Sequence, residues 1–483
     1  MNILHISAEC YPIAKVGGLA DVVGTLPKYL NNEDVCTSVI MPRYNNEWSA
    51  EHEFETVFKG HAPFGPWHLN FQIQREVQDT LGFPLFMVDI PGRFDRPGIY
   101  ADPLSTTAYE DNFERFLSFQ IAVLNWIVQR RESTDLIHCH DHQTALIPFM
   151  LTKCHCFQPM KHVPTVLTVH NGEYQGEVNH GYQEMIPEFD NINAGLLDWN
   201  NRLNPLATGL KTCWRITTVS PSYMEELSYD SDGLEWLFET EQPKSKGIIN
   251  GIDTEVWNPD KDPMIDHHYN SRRTAKGKRR NKRKLCEEFD LDPRYPTISF
   301  IGRLAYEKGA DLLPDLFRRY LESTTTVNFI VLGTGDQSLH HRFQAMADRF
   351  HGYFGVALSY DEALAHRIYA GSDFMVMPSR VEPCGLNQMY AMRYGTIPIV
   401  RKVGGLKDTV RDIGEEDGYG ITFNNFALDD AGHALHRAIT LYENGRRMGR
   451  LRKKVMKLDF SWNTSAKMYL ELYRELEIEM EGT

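Results

Sequence analysis

Apolar residues occur along this chain in short runs set apart by polar connections, and between many of those runs lies a stretch with helical spacing. In the first half, runs at 3–6, 35–41, 84–89, 135–139, 165–169 and 215–219 read as strands, and 51–90 holds further short alternating segments such as 68–74. Helices are predicted over 21–30, over 109–131 and from about residue 144; on the second, Phe113, Phe116, Leu117, Ile121 and Leu124 share one face. From 244 to 284 the periodicity fades, and Asn250-Gly251-Ile252-Asp253 is a turn signal. A second alternation follows, with strands at 297–301, 327–332, 373–377 and 397–400 and a helix from about residue 310. The tail over 461–479 reads as one helix, with Tyr469, Leu472, Tyr473 and Leu476 at i, i+3, i+4 and i+7.

Strands alternating with helices through short connections are the pattern of a parallel, doubly wound sheet, whose ligands sit beyond the C-terminal ends of the strands. The fold class is therefore α/β, with an N-terminal domain over 1–245, a second over 246–458 and a terminal helix over 459–483. The length of 483 residues agrees with two cores. In such sheets His140, Asp141, His170 and Asn171 all stand at strand ends.

One pentapeptide, Lys-Val-Gly-Gly-Leu, occurs twice, at 15–19 and 402–406, each time between a strand and the start of a helix. Two ordinary tight turns would explain it. So would a pair of anion cradles, because adjacent glycines let backbone N–H groups approach a phosphate and a lysine adds a mobile cation. Identical copies in both halves favour the second account: two α/β domains facing one anionic ligand.

Composition narrows the ligand. The chain is 42% hydrophobic and 24% charged, ordinary for a globular protein, and its net charge of −14 argues against nucleic acid. The nine Lys and Arg between 272 and 284 read as a solvated surface stretch running into a helix. No run approaches the ~18 apolar residues that would span a membrane, the N-terminus enters a strand directly, and the eight cysteines are scattered, several in apolar runs. Reduced thiols and a cytoplasmic location are expected.

Several chemistries drop out. Gly333-Thr334-Gly335 lacks the third glycine of a dinucleotide site, with Ser338 in its place, and Asp230-Ser231-Asp232 does not end an apolar strand. The run His138-Cys139-His140-Asp141-His142 suggests either a metal or a buried, cleft-lining strand; no Cys-x-x-Cys completes a zinc set. Strand-end cations remain: Lys15 in the first half, Arg303 and Lys308 in the second, with Glu382 just before a Gly-Leu helix start. Cations and amides for a diphosphate, beside a carboxylate for hydroxyl groups, describe a nucleotide sugar. Fixed cations can stabilise its leaving diphosphate without a metal.

These motifs, taken with His170-Asn171, Tyr174-Gln175-Gly176, Val219-Ser220-Pro221, Gly302-Arg303-Leu304, Pro378-Ser379-Arg380 and above all Glu382-Pro383-Cys384-Gly385-Leu386, make the chain similar to the glycogen and starch synthases. The resemblance runs along nearly the whole chain. It implies GT-B architecture, two Rossmann-like domains facing a deep inter-domain cleft, with the last helix crossing back to the first domain. It implies retaining transfer of glucose from ADP-glucose to the non-reducing end of an α-1,4-glucan, with no metal or other cofactor. Glu382, Arg303, Lys308, Asp141 and His170 are then the catalytic candidates. Lys15, Gly17, Gly18, Asp21, Asn250, Tyr360, Cys384, Gly385 and Leu386 fall on the donor, and Asn171, Tyr174 and Gln175 on the acceptor side. A front-face displacement is expected. The alternatives are a retaining GT-B transferase using UDP-glucose or another acceptor, and an inactive glucan-binding protein of this fold. No oligomeric state, nucleic acid or membrane partner is implied.

Departures from the family pattern collect in the first domain. His142 stands where a tryptophan is usual, Gly172-Glu173 where Leu-Ala is usual, and Ala207 where a lysine is often found. The donor motifs are therefore the firmer part of the reading, and Glu173 either alters the acceptor or points to solvent.

Overall fold

A computed structural model of the chain describes residues 1–103, 107–130, 133–323 and 326–481. The chain divides into two compact units, one formed by Met1–Asn250 together with Trp462–Thr483 and one by Gly251–Ser461.

The first unit is built on strands β1 (Asn2–Ile6), β2 (Cys36–Pro42), β3 (Phe54–Phe64), β4 (Trp67–Glu76), β5 (Leu85–Asp89), β6 (Leu136–His140), β7 (Thr165–Val169), the short hairpin β8 (Asp198–Trp199) and β9 (Arg202–Leu203), β10 (Arg215–Thr218) and β11 (Ser245–Gly247). Nine of them form one sheet in the order β11-β10-β7-β6-β1-β2-β5-β4-β3. The strands from β11 to β5 pair in parallel, and β4 and β3 close the edge antiparallel. β1, β6 and β7 are almost wholly buried, as strands covered on both faces must be. Chain order reverses between β1 and β6, so the loops leaving those two strands flank the switch point.

The helix expected over 21–30 is two helices, Gly18–Val23 and Leu26–Leu30. Gly24 separates them because the chain passes so close to Tyr11 that a Cβ there would lie 2.3 Å from the Tyr11 carbonyl oxygen. The long helix is Asn112–Gln129; its predicted end at residue 131 lies outside the described residues. The final helix, Trp462–Glu481, packs Trp462, Tyr469, Leu472, Tyr473 and Leu476 into one cluster with Ile3, Val22, Leu26 and Ile248. Each fully buried side chain of this size contributes about 1.5–3 kcal/mol.

The second unit carries β12 (Thr297–Ile301), β13 (Asn328–Leu332), β14 (Phe354–Ala357), β15 (Phe374–Met377), β16 (Ile397–Arg401) and β17 (Ile421–Phe423). They form one parallel sheet in the order β14-β13-β12-β15-β16-β17, the 3-2-1-4-5-6 order of a Rossmann fold. Its switch point lies between β12 and β15. The basic stretch runs into a helix as expected, Thr274–Glu288, but two of its lysines are inside rather than solvated. Lys278 donates to the Tyr369 carbonyl and the Thr396 hydroxyl, and Lys282 pairs with buried Asp373 at 2.6 Å. Those partners are far away in sequence, which is why a local charge count misplaced them.

Candidate active site

At the first unit's switch point, β1 ends in Ser7-Ala8-Glu9 and the chain turns into the first Lys-Val-Gly-Gly-Leu segment. Glu9 is 4% exposed. Its Oε2 accepts the amides of Val16 (2.6 Å) and Gly17 (3.2 Å), and its Oε1 accepts the Tyr100 hydroxyl (2.7 Å). Burial raises the Glu9 carboxyl above its ordinary range. One of the two glycine amides expected to face an anion, that of Gly17, is thus turned inward onto a carboxylate together with that of Val16. The Gly18 amide has no acceptor among the described residues. A Cβ at Gly17 or Gly18 would meet nothing within 4 Å, so the protein's own packing does not call for glycine there. Lys15 pairs with Asp21 at 2.7 Å, each side chain partly exposed.

Across the switch point, Asp141 follows β6 with a φ of +55°, half-buried. Its Oδ1 accepts the His170 amide at 2.6 Å and the Asn171 amide at 3.4 Å, tying the end of β6 to the end of β7. Desolvation pushes its carboxyl up to about 7, the two amides pull it back, and the Glu9 carboxylate adds to the rise. Behind it lies a row of buried imidazoles. His170 Nε2 is 3.0 Å from His140 Nδ1, and His140 Nε2 is 3.0 Å from His5 Nδ1. His138 bonds Tyr473 (2.7 Å) and Thr168 (2.6 Å). Burial lowers all four, His5 and His170 to about 3. The histidine run is a buried strand, both nitrogens of His138 and of His140 are engaged in these bonds, and ring nitrogens of His5, His138 and His140 lie within 4.8 Å of one another.

Asn171 accepts the Glu173 amide at 3.0 Å and Tyr174 is 52% exposed, while Gln175 is buried. The Gln175 amide donates to the Ser231 and Asp232 carbonyls and accepts from Asn204 at 2.7 Å. Placed by sequence on the acceptor side, its polar group is turned into the protein, where it holds the loops that carry Tyr174. Asn250 is 3% exposed, with an Oδ1 that has no partner among the described residues.

In the second unit three loops interlock beyond the switch point. Glu382 is 5% exposed; its Oε1 takes Lys308 Nζ at 2.7 Å and its Oε2 takes the Ser379 hydroxyl at 2.8 Å. Arg303 pairs with Glu307 at 2.5 Å while remaining 55% exposed. Arg380 grips Asp311 with both Nη atoms (2.6 and 2.8 Å) and is stacked between Tyr306 and Phe426. Its amide and that of Val381 donate to the Glu307 carbonyl. The third loop is the second Lys-Val-Gly-Gly-Leu segment, where the Gly405 amide donates to the Glu382 carbonyl at 3.1 Å. Cys384 is buried, and Gln388 spans the turn after it by donating to the Cys384 and Gly385 carbonyls. The amides of Gly385 and Leu386 have no acceptor among the described residues. Tyr360, after edge strand β14, is 73% exposed and donates to Glu362 at 3.3 Å.

The structure therefore gathers Lys15, Gly17, Gly18 and Asp21 with Asp141, His170 and Asn171 in the first unit, and Arg303, Lys308, Glu382, Cys384, Gly385 and Leu386 in the second. Sequence reasoning passed over Glu9, Tyr100 and Gln388, and quoted Ser379 only within Pro378-Ser379-Arg380, without a role. Glu9 had a signal, a lone carboxylate closing an apolar strand just before a glycine turn. The others are ordinary polar residues recognisable only through their partners.

Residues 2–240 match the family model described as starch synthase catalytic domain, and residues 281–455 match glycosyl transferases group 1. A glycogen synthase of Flavobacterium johnsoniae is 48% identical over 98% of both chains. One from Streptococcus pneumoniae is 37% identical over 99% of this chain and all of its own. The catalytic domain of starch synthase IV from Arabidopsis thaliana, bound to ADP and acarbose, superposes with a TM-score of 0.87 at 32% identity, covering 98% of this chain and 99% of that one. A sucrose-phosphate synthase of Thermosynechococcus elongatus, at 16% identity and a TM-score of 0.63 over 99% of each chain, shares the fold. With residues 2–240 and 281–455 matched by those models and 98% of the chain aligned with a glycogen synthase, this chain belongs to the glycogen and starch synthase family of GT-B glycosyltransferases.

Proposed function

We propose that the protein transfers glucose from ADP-glucose to the non-reducing end of an α-1,4-glucan with retention of configuration. The observation that carries this reading is the second unit's switch point, where Arg303, the Lys308–Glu382 pair and the open amides of Gly385 and Leu386 stand on interlocked loops. Cations and amides held in place suit a diphosphate leaving group, whose charge develops as the bond to the sugar breaks. The ADP bound to the Arabidopsis relative supports adenine as the base, and the glycogen synthases among the relatives support a glucan acceptor.

In this reading Glu382 holds Lys308 toward the diphosphate, and Glu382 and Asn250 take glucose hydroxyls. Tyr360 stacks on the base. Lys15 and the Gly17–Gly18 turn serve a donor phosphate, with Asp21 orienting Lys15. Asp141 and His170 line the reacting side, and Asn171 and Tyr174 receive the acceptor. Asp141 Oδ2 takes no hydrogen bond among the described residues, and a carboxyl near 7 can accept or hold a proton at neutral pH. The displacement is front-face. The acceptor 4-hydroxyl oxygen bonds C1 as the bond from C1 to the phosphate oxygen breaks, and the hydroxyl proton passes to that departing oxygen. No metal or other cofactor takes part. All eight cysteines are free thiols, which suits a reducing cytoplasm.

The test is incorporation of labelled glucose into glycogen from ADP-glucose or UDP-glucose, with a chelator present. Strong, chelator-insensitive incorporation from ADP-glucose is expected. Preference for UDP-glucose would overturn adenine as the base and leave the stacking on Tyr360 in place, since an aromatic ring stacks on either base. No incorporation from either donor, with ADP still bound, would overturn the acceptor assignment. A glucosyl adduct trapped on Asp141 or Glu382 would contradict the front-face step.

A further inference from the structure

A row of imidazoles crosses the first unit's sheet from His5 on β1, through His140 on β6, to His170 at the end of β7. His5 and His140 are fully buried and His170 is 8% exposed. The Nε2 of His170 meets the Nδ1 of His140, and the Nε2 of His140 meets the Nδ1 of His5, each at 3.0 Å. Backbone bonds fix the members: the His140 amide donates to the Thr144 hydroxyl and the His170 amide to Asp141. We propose that His140, backed by His5, holds His170 in the tautomer with its proton on Nδ1. His170 then gives a hydrogen bond to a substrate oxygen and does not act as a base.

Burial lowers all three rings below the ordinary 6.5, so at neutral pH each is uncharged, with one N–H and one bare nitrogen. Each contact joins an Nε2 to an Nδ1, and each has room for one proton. All three rings must therefore share one tautomer. With the protons on Nε2, the last of them sits on His5 Nε2, which is sealed in the protein with no partner among the described residues. With the protons on Nδ1, the last of them sits on His170 Nδ1 at the other end. That atom takes no hydrogen bond among the described residues and is not enclosed as His5 Nε2 is. Buried N–H groups without an acceptor are rarer in proteins than under-used acceptors. The row therefore leaves a bare nitrogen at its sealed end and an N–H at its open end.

The bond made by one imidazole nitrogen decides what the other can offer. His170 Nε2 is filled by the His140 proton, so His170 has no lone pair left to take the acceptor's hydroxyl proton. That agrees with a displacement in which this proton passes to the departing phosphate oxygen. The inference rests on the proposed function for the substrate oxygen that His170 meets; the tautomers follow from the row alone.

The experiment is NMR of the full chain with 15N-labelled histidine rings, which reports the tautomer of each ring. Signals are assigned by their loss in H5N, H140L and H170A. In the wild type, His5, His140 and His170 should all carry the proton on Nδ1, the less populated form of free imidazole. A proton on Nε2 of His170, or unlike tautomers within the row, would overturn the proposal. H140L removes the donor; it should return His170 to a mixture of tautomers and lower kcat/KM for ADP-glucose about tenfold. H140N can donate from the place of Nδ1 and should recover most of both, with a thermal melt of each variant checking that it is folded. Equal losses in folded H140L and H140N, or wild-type tautomers at His170 in H140L, would overturn the role of His140. The wild-type spectrum decides the case if neither variant folds. If that spectrum appears as expected while ADP-glucose-dependent transfer does not, the functional reading fails and the row stands.

Discussion

The two Lys-Val-Gly-Gly-Leu segments share five residues and a place after a strand, yet their glycines answer to different demands. At 15–19 neither Gly17 nor Gly18 is crowded, and Gly17 has an extended backbone with φ −145° that any residue can adopt. At 402–406 the chain itself requires glycine. Gly404 has a φ of +42° and would place a Cβ 2.1 Å from the Glu382 carbonyl oxygen, and a Cβ at Gly405 would lie 2.0 Å from that of Cys384. The first segment is held from beneath by the Glu9 carboxylate and leaves its outer side open, while the second is a clamp on the loop that carries Glu382. Identical residues are thus required by the protein's own packing in one unit and not in the other. The surroundings decide which.

The largest effect should come from the clamp. G405A sets a methyl group against a fixed carbonyl and should cost about 3 kcal/mol or more, read as a fall in Tm; an unchanged Tm would break the contrast at once. K15A should leave Tm near wild type and lower kcat/KM for ADP-glucose about a hundredfold, the scale of losing one fixed group that stabilises developing charge. E9Q should cost about 1–2 kcal/mol, because a neutral amide oxygen replaces the buried carboxylate beneath two amides; a purely kinetic effect would show that the anchor does not hold the loop.

Acid should separate the two units. His5 and His170 sit near 3 when folded against an ordinary 6.5, so the unfolded chain takes up protons first and the first unit loses stability as pH falls from 6.5 toward 3. His138 and His140 act in the same direction. His142, lowered to about 4, adds to them, while Asp141, raised from 3.8 to about 7, and Glu9, also raised, oppose them, two carboxyls against five imidazoles. In the second unit Asp412 is held down at about 2 by Arg437 and backbone amides despite partial burial, and its contribution is lost only as pH falls from 3.8 toward 2. Calorimetry at pH 5 should therefore show the first unit melting at the lower temperature. The smallest effect belongs to K402A. Lys402 pairs at 3.1 Å with Glu415, whose side chain is 51% exposed, and its loss should stay within about 0.5 kcal/mol and leave donor kinetics alone.

Much of the fold is legible in the sequence because parallel strands covered on both faces are short apolar runs; 165–169 and 297–301 coincide with β7 and β12 to the residue. What could not be read from the chain depended on distant partners. Lys282 looks solvated until Asp373 arrives from ninety-one positions away, and a single helix seems to run through 21–30 until Tyr11 crosses Gly24. β3, with exposed, polar residues along an edge, has too little apolar alternation to stand out. In the site, the cations and glycines carry their own signal. Glu9 beneath the first loop carries a fainter one, while Ser379 on Glu382 and Gln388 across the turn after Cys384 depend on pairings that no local pattern encodes.

The most direct measurement is to determine Tm and kcat/KM for ADP-glucose side by side in G18A and G405A. The division of labour between the two segments requires G18A to melt with the wild type while losing donor kcat/KM, and G405A to lose Tm. Equal losses of stability in both, or a G18A variant with wild-type kinetics, would contradict it.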